Sequence, residues 1–158
     1  GLEQALRNSG FVDQANSIAI DEDDGAFLAL GFSIDYNNIL FDAEYTQFEV
    51  DNSALAKQTQ YYTSLGYRMD EWLVHLTYEN NDDEHDSNRY NAIPTVPQLN
   101  AGLNQVLEGS KAKSNVYTIG ARYDFHPMAA LKVDFSRLKD DITNTETDVV
   151  AVGVDLVF

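Results

Sequence analysis

The sequence ends on Ala151-Val152-Gly153-Val154-Asp155-Leu156-Val157-Phe158, a stretch in which two kinds of residue alternate. Every second residue from Val152 to Phe158 is large and apolar, whereas the positions between them include Gly153 and Asp155. A period of two residues is that of a β-strand, because successive side chains of a strand point to opposite sides. The stretch therefore predicts a strand with one apolar face and one more polar face.

The same design recurs upstream, in stretches that start at Leu30, Leu65 and Ile119. Each copy has an apolar residue, a glycine, and then alternating apolar and polar residues. The glycines at positions 31, 66, 120 and 153 lie 35, 54 and 33 residues apart. This spacing predicts a repeated hairpin of roughly 34 residues with one enlarged loop.

Alternation along the whole chain predicts seven strands. In each strand the large apolar residues share one face, and the other face is too polar for a packed core. The predicted strands are Ala26–Tyr36, Ile39–Val50, Gln60–Met69, Trp72–Glu79, Tyr117–Phe125, Ala129–Ser136 and Ala151–Phe158. Residues 26–158 are thus expected to form the sheet, and six central residues are expected to face outward: Tyr45, Leu65, Leu76, Ile119, Val133 and Val154.

The links between these strands alternate in length. Three are tight turns, at Tyr36-Asn37-Asn38, Met69-Asp70-Glu71 and Phe125-His126-Pro127-Met128; the other three, Val50–Gln58, Asn80–Ser114 and Leu138–Asp148, are long and polar. Short periplasmic turns and long outer loops are typical of outer-membrane barrels. So are two girdles of aromatic residues, which this sequence places near the tight turns, as at Trp72 and Tyr123, and near the long loops, as at Tyr61, Tyr78 and Tyr117. The sequence therefore predicts an all-β fold, an antiparallel up-and-down transmembrane β-barrel with an extracellular loop over residues 80–114.

Composition excludes several classes of protein. A net charge of −16 argues against a nucleic-acid partner, because phosphate binding needs clustered Lys and Arg. The absence of cysteine rules out disulfides and thiolate chemistry. No run approaches the ~18 apolar residues of a membrane-spanning helix. A spanning strand, however, needs only about 9–11 residues with every second one apolar, so this observation leaves a membrane barrel open.

The terminal stretch resembles the C-terminal strand of Gram-negative outer-membrane β-barrel porins. In that family a glycine is followed three and five residues later by large apolar residues. Here the glycine is Gly153, and the two apolar residues are Leu156 and Phe158. The hairpin from Tyr117 to Phe135 is similar to the final hairpins of gammaproteobacterial general porins. The resemblance covers roughly residues 26–158 and implies that Gly153, Leu156 and Phe158 form an assembly signal.

The resemblance also implies a function and a location. It implies an outer-membrane channel for passive diffusion of small hydrophilic solutes or ions, without catalytic activity or a cofactor. The implied partners are outer-membrane lipid, lipopolysaccharide, the barrel-assembly machinery and further copies of the chain in a homotrimer. The chain would then be the C-terminal part of a barrel of about 16 strands.

Seven strands are an odd number, and bacterial single-chain barrels close with an even number. One alternative is therefore a small eight-stranded barrel in which Phe11–Ile20 forms the additional strand, although this stretch alternates poorly. Another alternative is a soluble lipocalin-like barrel with a binding or structural role, which would turn its large apolar residues inward. Under the porin interpretation, residues 1–25 form an outer loop with a short helix over Leu2–Arg7 that stops near Gly10.

The enlarged loop also contains a helical pattern. After two prolines, its apolar residues have helical spacing: Leu99, Leu103, Val106 and Leu107. An apolar helix face must pack against something. Two destinations are open at this stage, the interior of the pore and a neighbouring subunit.

Alternation also predicts which polar residues would line a pore. The candidates are Asp42, Glu44, His75, Glu79, Arg122, Lys132, Asp134 and Asp155, with Asp35, Arg68 and Asp124 nearer the periplasmic rim. Seven acids face three Lys or Arg residues in this set, which predicts a weak preference for cations. Hairpin register predicts four pairs in which a glycine leaves room for a polar neighbour: Gly31 with Glu44, Gly66 with His75, Gly120 with Asp134, and Gly153 with Lys132.

Neither catalysis nor metal binding is expected. His75 has acids in the same set, but no serine lies in a nucleophile motif, so we interpret it as a solvated pore histidine. The acidic stretches Asp21–Gly25 and Asn81–Asp86 lack the spacing of a calcium loop. We interpret both as solvated loops, with cation bridging to lipopolysaccharide as the alternative.

Overall fold

A computed structural model describes residues 1–19, 23–85, 90 and 96–157. It contains three described helices, α1 (Leu2–Asn8), α2 (Val12–Ala19) and α3 (Pro97–Gly109). The strands are β1 (Gly25–Tyr36), β2 (Ile39–Val50), β3 (Lys57–Met69), β4 (Trp72–Glu84), β5 (Lys113–His126), β6 (Ala129–Asp140) and β7 (Thr145–Leu156). All seven strands lie in one antiparallel sheet in chain order, which confirms the predicted up-and-down topology.

The tight turns depend on residues that tolerate a left-handed backbone. Asn37 and Asn38 have φ of 48° and 67°, and Asp70 has φ of 50°. Asn and Asp adopt this region more readily than other residues with a Cβ, because their short polar side chains can hydrogen-bond locally. The turns therefore reverse the chain within two residues, between β1 and β2 and between β3 and β4.

The long links are shorter than the sequence predicts. The expected loop Leu138–Asp148 is wrong, because β6 continues to Asp140 and β7 begins at Thr145. Asp140 accepts hydrogen bonds from the backbone N–H groups of Ile142 and Thr143, at 2.8 and 3.0 Å, and so closes a tight turn. Backbone pairing does not need apolar side chains, and the strands therefore continue beyond their apolar stripes.

The same extension shortens the other two loops. β3 begins at Lys57, so six residues remain between β2 and β3. β4 continues to Glu84 and β5 begins at Lys113, inside the expected loop over residues 80–114.

The first 19 residues contain two helices, α1 and α2, which residues 9–11 connect. The predicted short helix is confirmed as α1, and Gly10 follows it with φ of 86°. The alternative strand over Phe11–Ile20 is wrong, because Val12–Ala19 forms α2; Ile20 lies outside the described residues. The backbone carbonyl of Ser17 on α2 accepts a hydrogen bond from the backbone N–H of Ala54, 2.7 Å away. Because the two residues are far apart in sequence, the sequence of α2 alone does not predict this contact.

The chain divides into two compact units. The helical unit comprises Gly1–Leu28, Gln47–Thr59 and Asp82–Ala112, and the sheet unit comprises Ala29–Thr46, Gln60–Asn81 and Lys113–Phe158. Within the part of the chain that the structure describes, no helix is long and apolar enough to cross a membrane.

The helical unit has its own apolar core. Leu99, Leu103 and Leu107 of α3 are buried together with Leu6 of α1 and Ala15 of α2. A Cβ on Gly102 would lie 3.1 Å from Leu2 Cδ1, so α1 and α3 are closely packed. The sequence predicts that the apolar face of α3 packs either inside a pore or against a neighbouring subunit. In the structure, residues of α1 and α2 cover that face instead. Val106, which the helical pattern included, is 40% exposed.

Candidate functional site

The sheet has one face of large uncovered apolar side chains. Leu65, Ile119 and Val154 are 56%, 60% and 57% exposed. Leu76 and Val133 are also exposed, and Tyr45 is half-buried, so none of the six residues expected to face outward lies in a packed interior. An apolar surface of this extent needs an apolar environment, such as lipid or another protein.

Aromatic side chains cluster at two levels of this apolar face. Near the tight turns, Trp72 stacks on Tyr123 with ring centroids 4.5 Å apart. Nearer the other strand ends, Tyr78 lies between Tyr61 and Tyr117, at centroid distances of 5.9 and 4.9 Å. This arrangement fits the two aromatic girdles expected from the sequence.

The opposite face brings the eight predicted pore residues together. Asp42 and Glu44 lie on β2, His75 and Glu79 on β4, Arg122 on β5, Lys132 and Asp134 on β6, and Asp155 on β7. We call this surface the polar face. Two of the predicted glycine pairs are confirmed, because Gly120 is opposite Asp134 and Gly153 is opposite Lys132. The pairs of Gly31 with Glu44 and of Gly66 with His75 remain predictions.

His75 reaches across β5 to contact Asp134 on β6. Its Nε2 lies 3.2 Å from Asp134 Oδ1, and its Nδ1 lies 3.4 Å from Thr77 Oγ1. The crossing passes over Gly120, where a Cβ would overlap both Asp134 Oδ1 and His75 Nε2. Glycine at this position therefore makes room for a contact between side chains two strands apart.

The three basic residues of the polar face are all paired with acids. Arg68 on β3 forms a bidentate contact with Asp35, at 3.1 and 3.3 Å. Arg122 donates to Asp124 at 2.7 Å and to Asp155 at 3.4 Å. Lys132 also contacts Asp155, at 2.6 Å. These exposed pairs add little to stability, but each cancels much of the local field of its partners.

The acids on β2 and β4 have different surroundings. Ser33 donates a hydrogen bond to Asp42 at 2.6 Å. Among the described residues, no Lys or Arg forms an ion pair with Asp42, Glu44 or Glu79. Asp134 on β6 also has no Lys or Arg partner among the described residues and contacts His75 instead. The negative charge on the described polar face that no Lys or Arg offsets therefore lies mainly on β2 and β4.

A cavity of about 450 Å³ lies between these acids, on the polar face of β2, β3 and β4. Its lining consists of Leu40, Asp42, Tyr62, Ser64, Gly66, Leu73, His75, Thr77 and Glu79. We call it the acidic groove. Tyr62 and Glu79 also line a second cavity of about 240 Å³, which Glu44 borders.

Sequence reasoning missed the apolar part of this groove. Leu40, Tyr62 and Leu73 lie on the polar face although they are large and apolar or aromatic. Alternation assigns residues to faces by position, and these three occupy polar-face positions. Assigning every residue to a face by its position in the strand, whatever its type, would have identified them.

Among the described residues, no three His, Asp or Glu side chains are grouped closely enough to hold a metal ion. Asp21, Glu22 and Asp86, from the acidic stretches, lie outside those residues.

Of the predicted assembly signal, Gly153 and Leu156 lie on β7, and Leu156 is exposed. Phe158 lies outside the described residues.

Comparisons with known proteins agree with this two-faced sheet. A family model described as Gram-negative porin matches residues 5–154. Among solved structures, the chain is similar to the outer-membrane expressed OmpT of Vibrio cholerae, with 12% identity and a TM-score of 0.57. The similarity covers 85% of this chain and 41% of that one, so this chain spans less than half of that protein. A search of the curated proteins finds no match.

Proposed function

Because the chain belongs to the Gram-negative porin family, it is a protein of the outer membrane, and we propose that its sheet is part of the wall of a water-filled channel. Small hydrophilic solutes and ions would diffuse passively through this channel. The observation that supports the proposal is that the same strands have an exposed apolar face and a charged polar face. A pore wall needs both, because one side meets lipid and the other meets water.

We propose that further strands complete the channel. A lipid-facing sheet with open edges leaves backbone groups unsatisfied, and seven strands do not make an even number. A barrel of about 16 strands, of which this chain forms one part, meets both requirements. A homotrimer, contact with lipopolysaccharide and folding by the barrel-assembly machinery are part of the same proposal.

The alternative functions fit the described residues less well. A lipocalin-like barrel packs its large apolar residues inside, whereas Leu65 and Ile119 are uncovered. The closed eight-stranded barrel depended on a strand where α2 lies. We assign no catalytic role, and we regard the contact of His75 with Asp134 as part of the channel wall.

The direct test is conductance of the intact protein in planar lipid bilayers. We expect stepwise, ohmic KCl currents, and swelling of proteoliposomes in small sugars. A folded protein that gives neither current nor swelling would refute the channel. Cross-linking in the membrane tests the trimer separately, because a monomeric channel would leave the conductance unchanged.

We propose a weak cation preference for this channel. The basic residues Arg68, Arg122 and Lys132 are all paired, whereas Asp42 and Glu79 have no Lys or Arg partner among the described residues. Unpaired acids raise the local cation concentration, most strongly at low salt where screening is weak. Reversal potentials under a KCl gradient measure the preference. A clear preference for anions in the intact protein would contradict this proposal.

A further inference from the structure

The acidic groove has an apolar floor. A Cβ on Gly66 would lie 3.2 Å from Leu73 Cδ1 and 3.4 Å from Leu40 Cβ. Leu40 and Leu73 therefore approach each other over the bare backbone of β3. Tyr62, an aromatic residue that also lines the groove, is 37% exposed. Such a surface favours a ligand with an apolar body, because contact releases water from both partners.

The walls of the groove are acidic. Asp42 and Glu79 are part of the lining, and no Lys or Arg is among the described residues that line it. The hydroxyls of Ser64 and Thr77 are 2.8 Å apart and form a hydrogen bond with each other. An anion in the groove would meet two carboxylates that no Lys or Arg of the described lining offsets, whereas a cation would be attracted by both.

From these two features we propose that the acidic groove binds organic cations, namely an ammonium group attached to an aryl or alkyl body. The ammonium group lies near the carboxylates of Asp42 and Glu79, and the apolar body covers Leu40 and Leu73. The ring of Tyr62 adds a cation–π contact. The volume of about 450 Å³ suits such a solute, since small-molecule sites measure about 300–1,000 Å³. The inference rests on the proposed channel and names the solute class that the channel wall favours.

The test uses the intact protein in planar bilayers, with benzylammonium as the probe. Methylammonium has the charge without the apolar body, and benzyl alcohol has the body without the charge. We expect benzylammonium to block the KCl current in a saturable manner, and both reference compounds to have much weaker effects at the same concentration.

Variants locate the block within the wall. Glu79→Gln and Asp42→Asn each remove one charge from the groove and should weaken the block by about two- to fivefold. Tyr62→Leu should weaken it by a similar factor, through loss of the cation–π contact. Asp35→Asn is the matched control, because it removes the same charge from the polar face outside the groove lining. Heat-modifiable gel mobility verifies that every variant is folded.

The outcomes separate the groove from the channel. A KCl current that benzylammonium leaves unchanged would contradict the proposed binding site in the acidic groove, but it would not contradict the proposed channel. Equal weakening by Asp35→Asn and Glu79→Gln would also overturn it, because the effect would then be one of net charge. Absence of any KCl current from the folded protein would overturn both proposals.

Discussion

Replacing Gly120 with alanine tests how tightly the polar face is packed. A Cβ at this position would overlap Asp134 Oδ1 and His75 Nε2, and would lie 2.7 Å from His75 Cε1. All these atoms are near the ends of side chains, so the side chains can move while the backbone of β5 stays in place. We therefore expect a folded protein that has lost the contact between His75 and Asp134.

The size of the effect follows from three contributions. Loss of a partly exposed hydrogen bond costs about 1 kcal/mol, and strained side-chain rotamers cost about 0.5–1.5 kcal/mol. Alanine restores about 0.5–1 kcal/mol relative to glycine within a strand. The sum is a net destabilisation of about 1 kcal/mol. Gly31→Ala is the control, because among the described residues nothing lies within 4 Å of its Cβ position. It should gain about 0.5 kcal/mol, and the two variants should therefore differ by about 1.5 kcal/mol.

The assay is the fraction of intact protein that migrates as a folded barrel after equilibration in increasing urea. A second comparison places Gly120→Ala in a His75→Ala background, where part of the overlap is gone and the alanine should cost less. Equal stability of Gly120→Ala and Gly31→Ala would refute the reasoning. So would a cost for Gly120→Ala that stays the same without His75.

Three further predictions concern other parts of the chain. Leu103→Ala should destabilise the helical unit by about 2–5 kcal/mol, because Leu103 is 1% exposed. Val106→Ala on the same helix should be nearly neutral, because Val106 is 40% exposed. Limited proteolysis compares the two variants, and equal resistance would contradict the described core. The hydrogen bond from Lys111, 2.8 Å long, holds the pKa of Glu108 below its usual value, so the small stabilisation by this pair is present at neutral pH and is lost as the pH falls through that lowered pKa. Lys111→Met should return the NMR titration of Glu108 to its usual range, and an unchanged titration would contradict this cause. Deletion of Phe158 should reduce the amount of folded protein in the outer membrane without reducing synthesis; unchanged assembly would count against the assembly signal.

The strands could be predicted from the sequence because the two faces of this sheet meet different surroundings. In β5, for example, Ile119 is 60% exposed on the apolar face while Gly120 is buried on the polar face. An apolar environment on one side and water on the other impose a strict period of two on the sequence. The tight turns were equally visible, because Asn37-Asn38 supplies residues suited to a left-handed backbone.

The strand ends and the helical unit depend on contacts that the sequence pattern does not contain. The turn after β6 needs Asp140 to accept two backbone hydrogen bonds, and nothing in the alternation indicates this. The apolar face of α3 packs on Leu6, almost a hundred residues earlier in the chain. Tyr90 likewise donates a hydrogen bond to the carbonyl of Ser53 at 3.0 Å. Such long-range partners are chosen by the folded chain as a whole, which is why the sequence left the destination of α3 open.

The polar face shows why a count of charges is a poor guide to its field. Arg68, Arg122 and Lys132 lie within 4 Å of acids, so their fields and those of their partners largely cancel over a short distance. Asp42 and Glu79 have no such partner among the described residues, and their field extends into the acidic groove. Neutralising Asp35 or Glu79 changes the net charge equally, but the first change leaves Arg68 without its partner and the second removes an unopposed acid. The two substitutions should therefore differ in their effect on cations at the groove, and this difference separates local charge from total charge in the proposed channel wall.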